Sequence, residues 1–191
     1  MTAPPISDYA LLGDCQGSAL VSRGGSIDWW CAPRFDSPSS LGRILDPSAG
    51  HWEIRPAEDA RITRDYVEGT MVVATTFTGR EGRVRLTDAL ALAPGARGHE
   101  IGMESPCTLV RVAQALEGRM SLRMEYRPRL EYGLVGPEFE DGDGVLRTIG
   151  GADRLLLRAD VPVHATGDGA VATIDLRAGD DAGFALRHTR S

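Results

Sequence analysis

Arg34, Phe35 and Asp36 set a planar cation, an aromatic ring and a carboxylate on consecutive positions. Pro33 before them and Pro38 after them restrict the backbone, because proline fixes φ and carries no N–H. A fixed loop of this composition offers a partner hydrogen-bond donors, a stacking face and an acceptor. The segment around it, residues 24–40, also holds Trp29 and Trp30, two of the three tryptophans, and Cys31. In a chain with only 6% aromatic residues, that density marks a packing centre or a recognition surface. Its structural reading is equally simple: one tryptophan in the core and a local Arg34–Asp36 ion pair.

Other chemistry finds less support. Acid–base hydrolysis needs two carboxylates held across a pocket. Asp14, Asp28, Asp36, Glu138 and Glu140 qualify by type, but nothing in their spacing pairs any two. His51, His99, His164 and His188 stand far apart, with no His-x-His or Cys-x-x-Cys pair, so no metal site is expected. Asp141-Gly142-Asp143-Gly144 faintly resembles a calcium loop. It lacks the third ligand before the glycine and the late glutamate, and reads as a solvated acidic turn. Gly167-Asp168-Gly169 is not followed by a helical pattern, so it reads as a hairpin and no cofactor is expected. There is no Gly-x-Ser-x-Gly elbow. Cys107 follows Pro106 and precedes an apolar run, which points to a core thiol. No catalytic residue is assigned.

The elements that must carry the Arg34–Asp36 loop are short strands. Residues 9–12, 19–22 and 27–31 are brief apolar segments divided by Gly-rich turns, the first around Gly13 and Asp14 and the second at Gly24-Gly25. Alternation sends Trp29 and Trp30 to opposite faces of their strand. Residues 39–45 have a helical look: serines that can cap, then Leu41, Ile44 and Leu45 on one face. From His51 onward the period is two. The clearest case is 119–126, where Met120, Leu122, Met124 and Tyr126 share a face, after a turn expected at Glu117-Gly118. Two long loops are expected, at 93–106 and 128–138, and residues 1–7 read as a loose arm. The predicted fold class is all-β: an antiparallel β-sandwich of many short strands with one short helix near 39–45.

Composition narrows the classes further. The chain has 191 residues, 42% apolar and 25% charged, enough for one domain with a sizeable core. A net charge of −6 argues against a nucleic-acid partner. All 21 basic residues are arginine, so a Walker A lysine, a Schiff-base lysine and a lysine base are excluded. Cys15, Cys31 and Cys107, odd in number and widely spaced, imply free thiols and a cytoplasmic setting. The N-terminus lacks the basic and apolar regions of a signal peptide, and no run is long enough to span a membrane.

One ordered series of motifs is recognisable. Ile6-Ser-Asp-Tyr-Ala-Leu-Leu-Gly-Asp14, Ser18-Ala-Leu-Val21, Gly25-Ser-Ile-Asp-Trp-Trp-Cys31, Pro33-Arg-Phe-Asp-Ser-Pro38 and Gly50-His-Trp52 resemble the start of bacterial glycoside hydrolase family 15 proteins. These are the glucoamylase-like and trehalase-like enzymes, whose pattern more often has leucine at the position of Trp30. The resemblance implies that residues 1–191 are a single N-terminal β-sandwich (supersandwich) domain. It implies that the acid and base glutamates lie in a following (α/α)₆ barrel absent from this sequence. The chain is then expected to be non-catalytic by itself, to pack on that barrel and to help shape a pocket for α-glucosides. Trp30, Arg34, Phe35 and Asp36 are expected to face the barrel or substrate. Gly13, Asp14, Asp28, Trp29 and Pro33 are expected to build the motif's structure. A stand-alone carbohydrate-binding or dimerisation module, with a homodimer through the exposed surface, is the alternative.

Overall fold

The computed structural model describes residues 4–190. The chain begins with β1 (Tyr9–Gly13), β2 (Ser18–Ser22), β3 (Ser26–Cys31), β4 (Ser39–Leu41) and β5 (His51–Pro56). It continues with β6 (Arg61–Tyr66), β7 (Val73–Thr78), β8 (Gly82–Leu90), β9 (Thr108–Arg127) and β10 (Glu138–Gly142). The last five are β11 (Val145–Gly150), β12 (Asp153–Ala159), β13 (His164–Ala165), β14 (Ala170–Arg177) and β15 (Asp181–Arg190). Helical structure among the described residues is confined to 3-10 turns at Ile6–Asp8, Gly98–Glu100 and Glu131–Gly133. The first of these ends the arm expected over residues 1–7, of which 1–3 lie outside the described residues.

All the strands belong to one antiparallel sheet that does not close into a barrel. Strand β9, 20 residues long, folds this sheet into two facing layers. Its first half pairs with β8 and β15, in a layer ordered β6-β7-β8-β9-β15-β12-β11-β10. Its second half pairs with β14 and β5, in a layer ordered β13-β14-β9-β5-β3-β2-β1, with β4 beside β3. One apolar cluster fills the space between, from Leu12, Ile27 and Trp30 to Phe77, Leu109, Leu157 and Leu186. The antiparallel sandwich read from alternation is therefore what the chain forms.

The turn expected at Glu117-Gly118 does not interrupt the strand. Glu117 pairs with Arg83 and Ala115 with Val84, so Leu116 is an extra residue, and Gly118 takes φ +60. A bulge of one residue switches the alternation. Before it, Leu109, Arg111, Ala113 and Ala115 are buried; after it, Leu122, Met124 and Tyr126 are. The switch lets one strand present its buried side to the same core from both layers.

The helix expected at 39–45 is absent, and this is a correction. Residues 39–41 are β4, with Leu41 opposite Trp30 and Ser39 opposite Cys31. A turn follows at 43–45, and the Gly42 N–H donates to the Ala49 carbonyl at 2.8 Å. A pattern of three apolar positions is too short to nucleate a helix against strand pairing that buries Leu41 completely. The acidic turn expected at 141–144 forms the tip of a hairpin, in which β10 and β11 are joined through Asp143-Gly144.

Arg111 ties the layers together from the inside. It is fully buried, stands opposite Asp88 in the β8–β9 register, and donates to the Asp88 carboxylate at 2.8 Å. Its other nitrogens donate to the Trp52 and Gly25 carbonyls of the opposite layer, both at 2.7 Å. The guanidinium also lies over the Trp52 ring, 5.1 Å from its centroid. Replacing Arg111 by methionine leaves the Asp88 carboxylate buried without its cation. Chemical denaturation should show a loss of about 3–5 kcal/mol, largely recovered in the Arg111→Met/Asp88→Leu double variant.

Candidate functional site

Strand β3 sets the geometry of the motif-rich segment through an irregularity of its own. Leu20 pairs with Trp29 and Val21 with Ile27, so Asp28 is an extra residue in β3. Ile27 and Trp30, three apart, therefore both enter the core, where each is at most 1% exposed. Asp28 is fully buried and serves as an acceptor hub. Tyr9 donates to it at 2.8 Å, Ser26 at 2.5 Å and the Arg43 guanidinium at 2.9 Å. Burial first, and then the Asp28 contact, push the Tyr9 phenol above its ordinary range. With three donors occupying its oxygens, Asp28 is a structural group rather than an acid or a nucleophile.

The two tryptophans do face opposite ways, but in the reverse sense to the assignment from the motif. Trp30 packs in the core and does not face outward, which corrects its placement toward a barrel or substrate. Trp29 is the outer one. It is half-buried, opposite Leu20 in the register, and its ring lies 6.5 Å from the Tyr132 ring. The reason is the bulge, which aligns Trp30 with Ile27. Tyr132 and Glu131 both adopt positive φ in the 3-10 turn, at 58° and 51°, a conformation that costs non-glycine residues energy.

Arg34, Phe35 and Asp36 are all exposed, with Phe35 at 65%. Arg34 Nε donates to Asp36 at 3.0 Å within the loop. More than half of each side chain is in solvent, so this pair adds little stability and remains available. Half-buried Pro33 follows a cis peptide bond from Ala32. Its carbonyl accepts from the Cys107 thiol at 3.4 Å, and the Phe35 N–H donates to the Gln16 carbonyl at 3.2 Å. Gly13 ends β1 opposite Ser18. Asp14, buried, accepts from the Gln16 and Gly17 N–H groups at 2.9 and 2.6 Å, and from the Ser105 hydroxyl. Tyr132, Arg43, Ser105 and Cys107 belong to these assemblies and carry no spacing signal in the sequence. Cys107 sits beside the loop rather than in the core, its thiol pushed up by burial and by Asp14.

One further arrangement bears on chemistry. A cleft of about 590 Å³ opens where β9 bulges, lined among others by Glu58, Asp59, Glu81, Asp175 and Asp180. Its Glu81 accepts from Arg119 at 2.5 Å, which holds that carboxyl below its usual range, the opposite of a general acid. Among the described residues no group of three or more His, Cys, Asp or Glu is arranged to hold a metal, and no helix is long and apolar enough to cross a membrane.

A protein family described as "Trehalase-like, N-terminal" matches residues 1–187. The chain is 31% identical to a trehalase of Mycolicibacterium smegmatis, over 96% of this chain and 30% of that protein. It is 31% identical to a trehalase of Mycobacterium tuberculosis, over 98% of this chain and 30% of that protein. It is 32% identical to trehalase 1 of Sulfolobus acidocaldarius, over 82% of this chain and 26% of that protein. The chain thus spans about 30% of the length of the mycobacterial relatives it matches.

Beside the Asp28 hub, His51 is held neutral. Burial first, and then the Arg43 cation, lower its pKa from 6.5 to about 4, so its 3.8 Å approach to Glu125 is not an ion pair at pH 7. Its folded pKa lies below its unfolded one. The unfolded chain therefore binds the extra proton first, and stability present above pH 6.5 is lost as pH falls toward 4. Denaturation midpoints should decline across that window, and His51→Gln should reduce the decline relative to the unsubstituted protein.

Proposed function

The chain belongs to the trehalase-like N-terminal family, and we propose that it is the non-catalytic N-terminal part of a glycoside hydrolase acting on α-glucosides. One observation carries this reading: the family match fills the chain, while relatives named trehalase are more than three times the length it matches. The placement of the carboxylates agrees with it. Asp14 and Asp28 are taken up by buried hydrogen bonds, and Asp36 pairs with Arg34.

In this reading the acid and base glutamates belong to an (α/α)₆ barrel later in the parent polypeptide. This domain covers one side of that barrel and helps to shape its pocket. Arg34, Phe35 and Asp36 face the barrel: the guanidinium fork donates to a carboxylate or sugar hydroxyl, the ring stacks, and Asp36 orients Arg34. Trehalose is the favoured substrate because the relatives bear that activity in their names, with maltosaccharides of the glucoamylase type as the competitor. The three free thiols favour the cytoplasm.

The 191 residues alone, incubated with trehalose and with maltose, should release no glucose; release would overturn the non-catalytic assignment. Joined to the barrel-coding continuation, the protein should hydrolyse one of the two. Arg34→Ala/Asp36→Ala in that protein should lower kcat/KM by about ten-fold or more, because small displacements of pocket-forming groups are costly. Unchanged kinetics with unchanged thermal stability would remove the loop from the pocket.

A further inference from the structure

Three loops meet at one end of the sandwich: residues 14–17 between β1 and β2, residues 33–37 between β3 and β4, and residues 98–107 ahead of β9. We propose that together they form the docking surface for the polypeptide that follows this domain, with Asp14 as the residue that positions it. The proposal rests on the reading above and specifies which surface of the domain is covered.

The path of the chain is the first argument. Strand β15 leaves the sandwich at this end, where the His188 N–H donates to the Cys107 carbonyl at 3.0 Å. The Cys107 thiol in turn donates to the Pro33 carbonyl. In proteins with the length of the relatives, the polypeptide following β15 therefore sets out beside the Arg34–Asp36 loop. The cleft lined by Glu81 and Asp180 lies at the start of β15, at its far end.

Order is the second argument. Surface loops are ordinarily more mobile than the strands they join. Here one buried carboxylate fastens two of them. Asp14 holds its own hairpin tip through Gln16 and Gly17, and reaches Ser105, 91 residues away in sequence. The Ser105 hydroxyl accepts from the Cys107 N–H at 3.2 Å. Gly102, at φ +89, lies so close that a Cβ would stand 2.8 Å from the Asp14 carbonyl. The third loop is attached to the same hairpin tip by the Phe35 N–H to the Gln16 carbonyl. Fixing loops before binding removes an ordering cost from binding.

What these fixed loops display is the third argument. Phe35 is 65% exposed and Met103 75%, two large apolar side chains held outward on tied backbone. Arg34 and Asp36 flank Phe35 in the chain, and Glu100 and Glu104 lie within three positions of Met103, all exposed. Apolar anchors with a rim of both charges describe an interface between domains.

Cys15, exposed at the hairpin tip, is a built-in probe, while Cys31 is buried in the sandwich and reports whether the domain stays folded. Maleimide alkylation, read peptide by peptide by mass spectrometry, should be at least ten-fold slower at Cys15 in the long polypeptide than in the 191-residue chain. Asp14→Asn in the long polypeptide should restore Cys15 labelling with Cys31 still protected. If that variant unfolds and exposes Cys31, Phe35→Ser/Met103→Ser serves instead, with the same expectation. Equal Cys15 rates in the two polypeptides overturn the proposal. So does protection in the 191-residue chain that grows with its concentration, since a second copy would then cover the corner. Glucoside hydrolysis with Cys15 open would discard the docking surface alone. Cys15 protection without hydrolysis would discard the functional reading and leave the docking surface standing.

Discussion

A buried guanidinium holds this sandwich at its centre. Arg111 gives one layer an ion pair with Asp88 and gives the other layer two backbone hydrogen bonds, at Trp52 and Gly25. A charge removed from water is tolerated only when its hydrogen bonds are met, so these partners are mutually obligatory. The Gly25 carbonyl belongs to the β2–β3 turn, which sets the start of β3. The Trp52 carbonyl belongs to β5, which connects β3 to β9. The strand that carries the recognition motif is thus fixed in depth and angle by a residue more than eighty positions later.

From that anchor the motif divides into two functions. The inward part, Ile27 and Trp30, fills the core, and the bulge at Asp28 allows both to do so. The outward part is held by polar hubs rather than by apolar packing. Asp28 gathers Tyr9, Ser26 and Arg43 under the outer face, and Asp14 gathers the loop corner. Hubs of this kind suit the proposed docking surface, because they fix loop geometry while leaving Phe35 and Arg34 exposed. The lower edge of the same layer is closed differently: the Tyr66 hydroxyl both accepts from the Leu11 N–H and donates to its carbonyl, capping an exposed strand.

Much of this was legible in the sequence, and the limits of that legibility have physical causes. Alternation found most of the strands, since each residue's face is a local property of an extended chain. It failed at β4, where Leu41, Ile44 and Leu45 imitated a helix until pairing with β3 decided the matter. The outward placement of Trp30 came from the family resemblance, while alternation correctly put the two tryptophans on opposite faces. The motif shows two adjacent tryptophans, but which one points inward depends on whether Asp28 is counted in the register with β2, and that is a property of two strands.

By itself, the sequence determined the all-β class and the family, because period and motif order are written along one dimension. The tertiary structure alone decided that β9 is one strand shared by two layers, that Arg111 lies inside between Val110 and Val112, and that Asp14 meets Ser105. A bulge, a buried ion pair and a long-range hydrogen bond each depend on what stands opposite. Pairing across scores of residues leaves no periodic trace in the chain that makes it.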